Sequence, residues 1–284
     1  MLPGLRLKQT LLSISRQAER DIAQCIPCCG EQHVHALRLR MKKLHALLLL
    51  VESRGGSAAM EAIRRDMRTL RKAFAASRDQ SVMEALLAKL GQSGNVRVPG
   101  PLRTMPNTGS GHPPDPRRLR GLLATAGTLT RRLKSLRLRA LTREDIAAAF
   151  ASHYKEVQLR HELCLKKPSS KRMHHWRKVV KDHYFHSLLL LRDRRRCTSS
   201  RKVGAILGGL QDCAVLLEQC GDGVPDDLHD AVTGLMEDLH DRAFHKARRL
   251  LVPAPAKLQR QALKACHWRG RAGGTILAGK AARR

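Results

Sequence analysis

Apolar positions recur every three or four residues through almost the whole chain, and the stretches that keep this period mark its elements. Residues 5–25, 32–53, 57–74 and 77–90 read as four helices. Residues 117–139, 143–165, 171–192, 200–220 and 227–251 read as five more. No stretch keeps the strict alternation of a half-buried strand, so the expected fold class is all-α, with short links and mostly antiparallel neighbours. The pattern breaks plainly once. Residues 91–116 hold five Gly and six Pro, a density that no helix or strand interior tolerates. They read as a linker between a first helical unit, 1–90, and a second, 117–252. A weaker break falls at Gly221–Asp226, and residues 253–284 read as a basic, partly ordered C-terminal tail.

The two units share a skeleton. His35-x-x-Arg38-x-x-x-Lys42-Lys43 runs into a Leu tract, and so does His174-x-x-Arg177-Lys178-x-x-Lys181. Downstream, Arg78-Asp79-Gln-Ser-Val-Met parallels Gln211-Asp212-Cys-Ala-Val-Leu. A repeated helical unit predicts two equivalent sites related by pseudo-symmetry. Winding the first copy at about 100° per residue puts His35, Lys42, Arg38 and His45 on one stripe. Leu37, Met41, Leu44 and Leu48 form the apolar stripe beside it. In the second copy His174, Lys181, Arg177 and Tyr184 share the polar stripe, with Trp176, Val180, His183 and Leu190 alongside. The cations therefore flank the core face, at the edge where helices meet, and not on the opposite face where solubilising charge sits.

Charge gives this placement its meaning. The chain has 284 residues, with 54 Lys and Arg against 24 Asp and Glu, a formal net charge of +30. So positive a surface points to a polyanionic partner. Aromatic residues are 3% of the chain, which argues against base-stacking platforms for single strands. No run approaches the ~20 apolar residues of a membrane span, and the N-terminus has no secretory h-region, so a cytoplasmic protein without membrane partners is expected. Eight cysteines are too sparse for a disulfide scaffold. Cys25, Cys28 and Cys29, with His33 and His35 nearby, could suggest zinc, but no second pair completes a site. They read as buried or incidental thiols, and no metal or cofactor is expected.

Arg38 and Arg177 suit bidentate capture of phosphoryl oxygens, with Lys42, Lys43, Lys178 and Lys181 as point charges. His35 and His174 are donors whose charge an anion can induce. Asp79 and Asp212 read as braces that cap a helix or hold a basic neighbour, and Arg78 and Tyr184 share that supporting role. Catalysis has little to stand on: there is no phosphate loop, dinucleotide fingerprint, His-Glu-x-x-His or nucleophile elbow. The expectation is a binding protein, not an enzyme.

At these residues the chain resembles the CHAD family, the conserved histidine α-helical domains. The likeness rests on His35-x-x-Arg38-x-x-x-Lys42-Lys43 and, more specifically, on His174-x-Trp-Arg177-Lys178-x-Val-Lys181-Asp-His-Tyr, followed by Leu207-Gly-x-Leu-Gln-Asp212. Tyr154-Lys155 also looks like the family's approach to the second motif. The resemblance spans roughly residues 8–250. It implies two four-helix bundles with pseudo-two-fold symmetry and a basic central groove at their junction, binding inorganic polyphosphate and associating with polyphosphate granules. The triphosphatase domain fused to some members is marked by Glu-x-Glu-x-Lys, which this chain lacks. His45 stands where the family often has Arg or a hydrophobe, and the 91–116 linker is long for it. Apart from the resemblance, the same positive field would also suit non-specific binding to a nucleic-acid backbone.

Overall fold

A computed structural model describes residues 2–52, 57–74, 85–88, 90–91, 115–191, 193–220 and 224–265. Every regular element among them is helical. The order is α1 (Pro3–Cys25), α2 (Glu31–Leu49), α3 (Ser57–Ala73), α4 (Pro116–Ser135), α5 (Arg143–Lys166), α6 (Ser170–His186), α7 (Arg194–Cys220), α8 (Asp226–Leu251) and α9 (Pro255–Ala265). Residues 85–88 and 90–91 are helical too. None of the described helices is long and apolar enough to cross a membrane.

Local chemistry sets several of the helix starts. Thr142 and Asp145 form a reciprocal capping box at α5, with Thr142 N donating to Asp145 Oδ2 at 2.9 Å and Asp145 N to Thr142 Oγ1 at 3.1 Å. Asp115 caps α4 through Arg118 N at 2.8 Å, and Pro116 opens the helix without leaving a donor unmet. α7 begins at Arg194, six residues before the helix read from periodicity, because Asp193 Oδ1 accepts the backbone N–H groups of Arg195 (2.9 Å) and Arg196 (3.0 Å).

Two helix ends and the start of the expected tail depart from the periodic reading. The helix expected over 117–139 stops at Ser135, since Leu136, Leu138 and Leu141 turn inward to join the core beside α1. There Lys8 Nζ donates to Leu136 O at 2.7 Å, and Leu138 O lies where a Cβ on Gly4 would be, so only glycine fits at that position. The helix expected over 171–192 leaves α geometry at Ser187 and continues as a π turn, Ser187–Leu191. The wider turn rotates Leu190 away from the α-helical projection, and Leu190 is half-buried while Trp176, Val180 and His183 are fully buried. Within the stretch read as tail, residues 255–265 form α9, which buries Leu258 and Ala262 and packs on α5. The expected linker lies almost entirely outside the described residues.

The packing joins elements from both sides of that segment. α1, α2, α3, α4, the first turns of α5 and α9 share one apolar core, with Leu11, Ile22, Leu44, Ile63, Leu129 and Phe150 among its members. The rest of α5 packs with α6, α7 and α8 around Trp176, Val180, Val203 and Leu207. Leu87 and Leu90 close the far end of the α7–α8 pair against Leu216, Leu228 and Val232.

Candidate functional site at the α2–α6 seam

The two motif helices pack on each other. His186 Nε2 of α6 donates to Ala46 O of α2 at 2.6 Å, and His45 Nε2 lies 3.9 Å from Asp182 Oδ2. Burial pushes the Asp182 carboxyl up to about 7, against the opposing pull of Lys178, Arg71 and Lys181. Burial likewise lowers His45 to about 4, and Arg71, Lys178 and Arg64 push it further down. Between those values both groups are neutral, so this contact is not a salt bridge. The seam thus sets Lys178 and Lys181 of α6 and Arg71 of α3 near a carboxyl that burial keeps largely protonated below neutral pH, while Arg64 of α3, near His45, is ion-paired with Glu52 and Glu61.

Other motif residues take individual places. Leu37, Met41, Leu44 and Leu48 are buried as the winding requires. His35 is exposed, and Lys42 and Lys43 are half-buried. Lys43 titrates below the usual lysine range because of burial and, next, of Arg40. Arg38 Nη1 donates to Phe74 O at 2.6 Å, holding the end of α3. Arg177 is only 8% exposed, and its guanidinium lies across Gly208 of α7. Lys181 passes over Gly204 one turn earlier. The two glycines clear a shallow channel on α7 for the α6 cations. His174 Nδ1 meets Gln211 Oε1 at 3.0 Å, and burial lowers its pKa, with Lys178, Arg177 and His175 adding to the effect. Tyr184 is half-buried with its ring against Phe185, and Asp212 is half-buried on α7. Arg78 and Asp79 lie outside the described residues.

Sequence reasoning did not single out the polar core behind this seam. His183 stacks on Phe150 at 5.3 Å between ring centroids, and His153 and His186 lie 5.0 Å apart. Burial lowers all three imidazoles, taking His186 to about 3. Arg196 Nη1 donates to His183 Nε2 at 2.9 Å, which places the ring proton on Nδ1. Tyr154 Oη donates to Leu250 O at 3.1 Å. The only sequence signal was a histidine sitting in an apolar stripe.

Chemically, the seam presents ammonium and guanidinium groups on rigid helices. Cys25 is buried, its thiol pushed up to about 12, while Cys28 is exposed and Cys29 half-buried. Among the described residues no three His, Cys, Asp or Glu side chains are grouped to hold a metal ion. The chain matches no protein-family model, no curated protein and no solved structure.

Proposed function

We propose that the chain is a polyphosphate-binding module of CHAD type without catalysis of its own. In this reading two helical repeats, related by pseudo-two-fold symmetry, set a basic groove between their motif helices, and the bound polymer directs the protein to polyphosphate granules. The observation that carries the proposal is the direct packing of α2 on α6, with Lys178, Lys181 and Arg71 near their seam. A polyphosphate chain is a dense line of negative charge with no bases to read. It calls for closely set cations on rigid elements and for few aromatics, which suits a chain of net charge +30 with 3% aromatic residues.

The test is competition between long-chain polyphosphate and duplex DNA at matched phosphate, at ~150 mM salt where exposed charges are screened beyond ~8 Å. Polyphosphate is expected to displace DNA; equal or tighter binding of DNA would favour a nucleic-acid-binding protein. Lys42→Ala with Lys43→Ala, and Lys178→Ala with Lys181→Ala, should each weaken the polymer. An untouched affinity in either pair would leave only one helix at the site. His174 adds a second readout. Its lowered pKa keeps it neutral at pH 7, and a nearby phosphate favours imidazolium, so binding should take up protons and strengthen from pH 8 to 6. Polymer shortened during incubation would make the protein an enzyme.

A further inference from the structure

A second cationic site lies away from the seam. A cavity of about 600 Å³ opens between the start of α7 and the end of α8, lined by Arg194, Arg195, Arg196, Lys202, Lys246 and Arg249. None of its lining residues belongs to α2, α3 or α6. Among the described residues six cations line it with one acid, Asp193, whose Oδ1 already accepts two backbone N–H groups at the start of α7. Thr198 and Ser199 add hydroxyls to the lining, Leu250 and Pro253 are its apolar members, and none of the described lining residues is aromatic.

Arg196 distinguishes this cavity from an ordinary basic surface. It is 8% exposed, and a buried charge is normally paired or coordinated. Its guanidinium meets the neutral His183 Nε2 at 2.9 Å, Leu250 O at 3.4 Å and the Tyr154 ring at 5.1 Å. Among the described residues no carboxylate pairs with it. Its charge is solvated by neutral groups, and Arg196 also lines a cavity that five further cations line with it. An anion seated there would supply the missing counter-charge.

The geometry points to this cavity as a binding site for a compact run of phosphoryl groups, a short phosphoanhydride chain of about the length of tripolyphosphate, held apart from the α2–α6 seam. The volume is within the ~300–1,000 Å³ usual for small-ligand sites. Arg194, Arg195 and Arg249 can take phosphoryl oxygens in pairs, and Lys202 and Lys246 add point charges. Among the described lining residues there is no aromatic ring, so none of them stacks a nucleobase. The ligand class follows from the proposed polyphosphate reading, but the site does not depend on the seam.

Calorimetric titration of the full chain with inorganic tripolyphosphate, ATP and long-chain polyphosphate tests the assignment. Lys178→Ala/Lys181→Ala protein should still bind one tripolyphosphate. Adding Lys202→Ala/Arg249→Ala should weaken that binding roughly ten-fold or more, on the scale of one or two charge-assisted hydrogen bonds. Both replaced side chains are exposed, so the fold should survive, and a thermal melt confirms it. Tripolyphosphate binding that is unchanged in the cavity variant, or absent from the wild-type chain while long polymer binds, overturns the cavity. Tripolyphosphate bound at the cavity with no binding of long polymer at the seam would support the cavity and defeat the polyphosphate module. ATP binding more than ten-fold tighter than tripolyphosphate overturns the assignment to a bare phosphate chain.

Discussion

Aligning His35 with His174 pairs Arg38 with Arg177, Lys42 with Lys181 and Lys43 with Asp182, and the two copies use these positions at different depths. Both arginines reach toward the helix that follows. Arg38 stays half-buried and donates to the last carbonyl region of α3, at Phe74. Arg177 sinks to 8% exposure because Gly208 leaves room for its guanidinium on α7. Lys43 and Asp182 carry opposite charges, and burial shifts each toward its neutral form. A motif that reads as two equal anion grips is therefore built as one shallow copy and one deep copy. In both, the arginine also joins two helices, so under the proposed function much of the ligand contact would fall to the lysines.

The largest effect that could break this contrast is on stability. Arg177→Ala empties a buried position against α7 and should cost about 3 kcal/mol, as removals from buried polar networks do. Arg38→Ala removes a half-buried side chain and its hydrogen bond to Phe74 O and should cost less, about 1 kcal/mol. Urea midpoints at constant m-value compare the two directly. Equal costs would mean that the depth difference has no energetic content.

How much of this was legible in the sequence follows from the same residues. Helical period found the elements because every core helix buries a stripe, and Leu37, Met41 and Leu44 sit where winding places them. It failed at Leu190, where the π turn changes the rotation per residue, and at Leu136–Leu141, where leucines bury in a connection. Residues 255–265 looked like tail because a short helix between prolines and basic residues carries only Leu258 and Ala262 as its buried signal. The motif cations were visible as a pattern. Arg196 and Asp182 were not, since their roles come from Tyr154 of α5 and Leu250 of α8 in one case and from α2 and α3 in the other, all distant in sequence.

A second, smaller effect concerns pH and belongs to the deep copy. The Asp182 carboxyl titrates at 3.8 when free and at about 7 when folded, so folding binds a proton. Its contribution to stability is full below the free value and is lost as pH rises through about 7. His45 runs the other way. Its folded value of about 4 lies below 6.5, so its contribution is full above 6.5 and lost as pH falls through about 4. Asp182→Asn fixes a neutral side chain of the same shape and should be more stable than wild type at pH 8, with the gap narrowing as pH falls below about 7 and closing only near pH 4. Thermal melts across that range measure it. A gap that does not change with pH would show that Asp182 is ionised in the fold throughout.

The smallest effect isolates the glycine that lets Arg177 sink. Ala is favoured over Gly in a helix interior by about 1 kcal/mol, so a Gly→Ala change with free space around it should stabilise the protein by nearly that amount. Gly234 is such a position: it is exposed on α8, and an added Cβ would have nothing within 4 Å. At Gly208 an added Cβ would lie 3.1 Å from Arg177 Nη2 and 3.5 Å from its Cζ, so the guanidinium would have to move out by a few tenths of an ångström. Gly208→Ala should therefore forgo the gain seen for Gly234→Ala, leaving the two melting temperatures a few degrees apart. The comparison is sharpened by repeating Gly208→Ala in the Arg177→Ala background, where the obstacle is gone. If the gain returns there, α7 carries the glycine to make room for the arginine. If Gly208→Ala is as favourable as Gly234→Ala with Arg177 in place, the channel on α7 does not set the depth of the second copy.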